Sequence, residues 1–100
     1  IFMSKPIIRI VRLSFEPNLV TDFLHIFDES KAFILGFDGC EHLELLQDIH
    51  HDNVYYTYSK WISPDALESY RHSELFKTTW AKTKVLFNAK PVAYSIQQVQ

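Results

Sequence analysis

Hydrophobic positions recur every second residue in some stretches and every third or fourth in others. Stretch 6–16, "PIIRIVRLSFE", is dense in β-branched and apolar residues and predicts a strand. Ile7, Arg9, Val11, Leu13 and Phe15 share one face; Ile8, Ile10, Arg12 and Ser14 share the other. Pro17 suits the first turn of a helix. Val20, Phe23, Phe27, Ser30 and Ile34 then follow at three- and four-residue steps, an amphipathic helical period, and Gly36 is the expected stop. Two strand-like runs, 40–49 and 53–62, flank the polar "HHD" of a hairpin connection. Ser63-Pro64-Asp65 combines a hydroxyl cap, a proline at the first helical position and an acid at the positive end of the dipole, so a short helix is expected to about His72. Ser73 can cap another, with Phe76, Trp80, Thr83 and Phe87 along one stripe. Pro91 ends it, and 92–99 reads as a last strand.

The order β-α-β-β-α-α-β is the ferredoxin-like split βαβ pattern, an α+β fold with a four-stranded antiparallel sheet. Helices cover one face of such a sheet. Yet strand 53–62 carries Tyr56 and Tyr58 on one face and Tyr55 and Trp61 on the other, and Ile8 and Ile10 oppose Val11 and Leu13. A sheet wet on one side should alternate apolar and polar. A partner sheet is the economical cover, so a homodimer is expected.

Composition narrows the class. One hundred residues, 47% of them hydrophobic, suit a single domain over 1–100 with an ample core. A net charge of −2 argues against a general nucleic-acid binder. No apolar run approaches the ~18 residues of a membrane span, and no signal pattern opens the chain. Ile1-Phe2 read as additions ahead of a natural start at Met3. The one cysteine, Cys40, excludes an internal disulfide and points to the cytoplasm.

"GCEHLELLQD", "YSKW" and "SPDALESYRHSELF" resemble the antibiotic biosynthesis monooxygenase family of dimeric α/β barrels. The resemblance spans about 7–99. It is anchored by Gly39-Cys40 opening the second strand, Trp61 closing the third, Ala66-Leu67 in the short helix, and Ser73 and Phe76 opening the next. It implies a pocket between helices and sheet, one per subunit. The family includes haem-degrading members, cofactor-free oxygenases of quinol-like or polycyclic aromatic substrates, and relatives that process small sugar-derived signals. In the haem-degrading branch the ligand histidine falls on Trp80, a tryptophan on Tyr70 and an asparagine on Val11. An indole N–H cannot replace an imidazole as ligand. In the cofactor-free branch histidines fall on Tyr70 and Leu75 and an asparagine on Thr57, while Trp61 is kept. The resemblance thus implies a cofactor-independent monooxygenase with no metal or cofactor. The alternative is a non-catalytic small-ligand-binding or structural homodimer.

Each candidate has two readings. Trp61 is a pocket wall or a core tryptophan. Tyr70 is a donor to a phenolic substrate, the catalytic candidate, or an amphipathic surface tyrosine. Phe76 and Trp80 shape the pocket or form a core stripe, and Thr57 joins them as a substrate-binding candidate. Arg9 clamps an anionic or enolate oxygen, or snorkels, or pairs with Glu41 or Glu44. Cys40, His42 and Glu44 alternate like a metal set, but closed zinc sites usually use four ligands, and an interface histidine fits as well. His72 matches no functional histidine of either branch and is expected in solvent, like His25 among Asp22, Asp28 and Glu29.

Overall fold

A computed structural model describes residues 5–100, so the expected start at Met3 lies outside the described residues. The elements are β1 (Ile7–Ser14), α1 (Val20–Leu35), β2 (Cys40–Gln47), β3 (Val54–Trp61), α2 (Pro64–Arg71), α3 (Glu74–Lys84) and β4 (Val92–Ile96), with a 3-10 turn at Pro17–Leu19 before α1. The four strands lie in the order β2-β3-β1-β4, and every neighbouring pair is antiparallel. β1 and β3 are therefore central, and each of the two helical connections crosses over one strand. This is the ferredoxin-like arrangement read from the pattern.

The closed barrel implied by the resemblance is not what these strands form. The sheet is open, with β2 and β4 as its edges. Four strands subtend too short an arc, since a filled small barrel takes about eight. β4 is also shorter than the expected 92–99. Its register with β1 ends at Ile8–Ile96, and Pro6 beyond Ile7 has no N–H to continue the ladder. At the other end of β1, Phe15 bridges Phe87 rather than β4. Asn88 N–H donates to the Ser14 carbonyl at 3.0 Å, and the Ser14 hydroxyl donates to Asn88 Oδ1 at 2.6 Å. The chain leaving α3 is thereby tied to the sheet.

Local chemistry explains the element ends. Ser63 Oγ accepts from Ala66 N–H, and Ser73 Oγ accepts from Phe76 N–H, each at 3.1 Å, so both hydroxyl caps act as expected. Ser73 also donates to the Tyr70 carbonyl at 2.6 Å, which joins the end of α2 to the start of α3. In the hairpin, Asp48 Oδ2 accepts from the N–H groups of His50 and His51, each at 3.0 Å. Those bonds hold its carboxyl below the usual range, the His50 N–H contributing most. Gly39 sits at φ 89°, where other residues are strained, and a Cβ there would lie 2.5 Å from Ala66 Cβ. The glycine thus lets α2 seat on the loop before β2.

The core lies between the helices and the inner sheet face. Leu13, Phe15, Phe23, Tyr55 and Leu86 form one cluster; Ile7, Trp61 and Leu67 form another. Ser30 sits in the apolar stripe of α1 because its hydroxyl donates back to the Ile26 carbonyl at 2.8 Å.

Candidate functional site

Between the two clusters the helices stand off the sheet and leave a cavity of about 360 Å³. Its floor is the inner face of β1 and β3, and its walls come from α1, α2 and α3. All six candidate residues, Arg9, Thr57, Trp61, Tyr70, Phe76 and Trp80, line it. The strand period and the helix stripe bring them together: Arg9 and Thr57 face inward from adjacent strands, while Phe76 and Trp80 are one turn apart on α3.

The aromatic side chains are continuous. Trp61 stacks on Tyr70 (centroids 4.9 Å apart, planes at 25°), Tyr70 meets Phe76 edge-on at 5.3 Å, and Phe76 lies parallel to Trp80 at 5.7 Å. Trp80 then meets Phe87 at 5.5 Å. Such offset and edge-to-face contacts fix ring positions beyond what burial alone does. Trp61 is 1% exposed, hence a core residue, and it still backs the cavity behind Tyr70. Its indole N–H donates to Ser59 Oγ at 3.0 Å, so the ring is held without an unpaired donor.

Tyr70 is largely buried. Burial pushes its phenol up to about 12, and the nearby Cys40 adds to the rise. At neutral pH it is therefore an O–H donor and not a base. Its hydroxyl has no hydrogen-bond partner among the described residues, and it is not sealed from solvent.

Arg9 is flanked in the ladder by Ser59 on β3 and Ser95 on β4. These small neighbours leave room over the sheet, and its guanidinium donates to Ser95 Oγ at 2.9 Å. Neither expected acid pairs with it: Glu44 lies on the outer face, 3.5 Å from His42 Nε2. Burial lowers its pKa, the Arg71 charge lowers it further, and Glu68 opposes both.

The metal-like trio on β2 does not form. A bulge between Cys40 and His42 breaks the alternation. Cys40 packs beside Trp61 and Ile7, while His42 and Glu44 face outward. Among the described residues no three His, Cys, Asp or Glu side chains converge to hold a metal ion. His72 caps the end of α2 with an exposed ring, its Nδ1 2.8 Å from the Glu68 carbonyl. It is not among the residues that line the cavity.

Sequence reasoning missed Arg71 and Thr79, which also line the cavity. Thr79 was findable, one step along the Phe76–Trp80–Thr83 stripe. Arg71 was not. In sequence it is a helix-surface arginine three residues after Glu68, and that ion pair does form, at 2.8 Å.

The chain matches the family described as "Antibiotic biosynthesis monooxygenase" over residues 6–82, and it belongs to that family. Solved structures share its fold. A conserved protein from Methanosarcina mazei Go1 is 14% identical, with a TM-score of 0.90, over 94% of this chain and 93% of that one. Rv0793 from Mycobacterium tuberculosis is 17% identical, with a TM-score of 0.88, over 96% and 97%. A variant of SnoaB, a cofactor-independent oxygenase from Streptomyces nogalater, is 18% identical, with a TM-score of 0.85, over 97% and 96%. No curated protein matches the chain. No helix among the described residues is long and apolar enough to cross a membrane.

Proposed function

We propose that this protein is a cofactor-independent monooxygenase acting on a quinol-like or polycyclic aromatic substrate, working as a homodimer in the cytoplasm. The observation that carries the reading is the cavity: lined by aromatic and aliphatic side chains with a few polar ones among them, it has the character of a small-molecule site. Trp61, Phe76 and Trp80 shape it. Thr57, Tyr70 and Arg9 are its polar handles. The relation to a cofactor-independent oxygenase of the same fold is consistent with this chemistry.

Among the described residues the lining contains no histidine, aspartate or glutamate. The substrate must therefore ionise readily by itself, as a quinol or an activated ring CH2 does. Arg9 favours the resulting oxyanion, and the Tyr70 O–H donates to it. The anion gives its electrons to dioxygen. One oxygen atom enters the ring carbon, the other leaves as water, and the substrate supplies all the electrons. A ring CH2 thereby becomes a carbonyl.

The lining's lack of a general base is also what favours the second reading, a dimer that binds such molecules without turning them over. Oxygen uptake separates the two. With anthrone as the probe, the enzyme reading expects dioxygen consumption and anthraquinone formation in equal amounts, above the rate without protein. Binding of anthrone with no added oxygen uptake leaves only the binding role.

A further inference from the structure

Both tryptophans line the helix–sheet cavity, and they differ in what their indole N–H groups meet. Trp61 Nε1–H donates to Ser59 Oγ at 3.0 Å. Trp80 Nε1–H has no acceptor among the described residues, and it is not sealed from solvent. The ring that carries it is nevertheless held. Phe76 lies parallel to it at 5.7 Å, with the planes at 11°, and Phe87 meets it edge-on at 5.5 Å. A ring held by two aromatic neighbours keeps its N–H at one place on the wall. Thr83, one turn along the same stripe, gives its own proton to the Thr79 carbonyl at 2.8 Å. A tryptophan N–H that is drawn into an apolar site usually finds a partner. Here the protein offers none among the described residues.

We infer that the Trp80 N–H is a hydrogen-bond donor to the ligand, and that it takes the carbonyl oxygen of a neutral aromatic ketone. An indole N–H donates and cannot accept, so it matches an oxygen that only accepts. A ligand hydroxyl would bring a further proton, and among the described residues the lining has no carboxylate or imidazole to receive it. Trp80 thus determines specificity, favouring a ring ketone over the corresponding alcohol. This rests on the reading of the cavity as an aromatic-ligand site, and adds to it the chemical form of the oxygen that the site selects.

The test compares 1-tetralone with tetralin, two bicyclic molecules that differ by a carbonyl in place of a CH2. Proton NMR of the full chain resolves the two indole N–H signals. Trp61, bonded and 1% exposed, exchanges slowly with water, whereas Trp80 exchanges fast. Tetralone should move the Trp80 N–H proton downfield, as a new hydrogen bond does, and tetralin should not. Trp80→Phe keeps an aromatic ring beside Phe76 and removes the donor. It should weaken tetralone relative to tetralin by about threefold to tenfold, the scale of one net hydrogen bond. If tetralone binds without the downfield shift, or if only Tyr70→Phe changes the ratio, the inference fails while the aromatic-cavity reading stands. The same holds if tetralin binds and tetralone does not. If neither probe binds, that reading fails and the inference with it. Should Trp80→Phe not fold, the shift in the wild-type protein decides alone, because the two signals are told apart by their exchange.

Discussion

Tyr70 is the residue on which the proposed chemistry turns, and its environment sets what it can do. A phenol held at about 12 keeps its proton through the physiological range. Tyr70→Phe retains the ring stacked on Trp61, so at pH 7 the melting temperature should stay nearly unchanged. Affinity for a phenolic ligand should fall by about 0.5–1.5 kcal/mol, the net contribution of one hydrogen bond. If the O–H also stabilises the oxyanion, turnover should drop by on the order of 10²-fold. Equal affinity and rate in the variant would reduce Tyr70 to scaffold. The same burial has an alkaline signature. The folded value lies above the ordinary 10.0, so the unfolded chain loses this proton first. The native state should lose on the order of 2 kcal/mol from this group as pH rises from 10 to 12, with nothing lost below 10. Tyr70→Phe lacks that component, so the gap between the two proteins in alkaline denaturant melts should shift by this amount in favour of the variant. Sequence alone pointed to Tyr70 and Trp61 but left each with two readings. Burial and ring-to-ring stacking, which depend on how α2 sits on β3 and have no signature in local pattern, place both rings at the cavity. Arg71 was hidden for the same reason, being indistinguishable in sequence from a solvated helix charge.

At the scale of elements, Gly39 and Ala66 decide how closely α2 approaches the sheet, and hence where Tyr70 lies. Gly39→Ala adds a Cβ at φ 89° and 2.5 Å from Ala66 Cβ. It should destabilise the fold by about 2 kcal/mol or more, from backbone strain together with overpacking. It should also weaken ligand binding, as α2 is pushed off Trp61. Ala66→Gly costs about 1 kcal/mol by itself in a helix. Combined with Gly39→Ala it should recover the part due to the clash, so a double-mutant cycle by chemical denaturation should return a favourable coupling above about 0.5 kcal/mol. Simple additivity would mean that strain, not contact, sets the cost. Most elements were legible from the sequence because periodicity and capping agree: the stripe of α1, and the Ser63 and Ser73 starts of α2 and α3. Pairing overrides pattern at two places. β4 stops at Ile96, opposite Ile8 and close to Pro6, which has no N–H to give to the ladder. The bulge at Cys40–His42 turns the cysteine inward and dissolves a trio that strict alternation would have kept on one face. Neither depends on local propensity.

At the scale of the molecule, the outer sheet face is the feature that a single chain does not explain. The apolar character of both faces was legible in the sequence. The closed barrel taken from the resemblance was not a consequence of it, and the open order of four strands corrects it. One row across the outer face runs Glu44, Tyr58, Ile10, Tyr94, and the next runs His42, Lys60, Ile8, Ile96, apolar on β1 and β4. Tyr94 is 56% exposed and Ile96 44%. A sheet face meant for water would place polar side chains at these positions. An apolar patch across the middle of a sheet marks an interaction surface, and a second copy of the same face is self-complementary about a two-fold axis. The proposed homodimer packs these faces together and leaves the helix-side cavities apart, one in each chain. Ile10 is the sharpest probe, because it lies on the central strand β1 and is remote from the cavity, on the opposite side of the sheet. Ile10→Asp puts a charge at the centre of the packed faces, which costs several kcal/mol if the site is dry. Wild type should sediment as a dimer at micromolar concentration and Ile10→Asp as a folded monomer with a lower, concentration-independent melting temperature. A monomeric wild type in the same run would remove the dimer from the proposal. The cavity and its chemistry would then have to be judged on one chain alone.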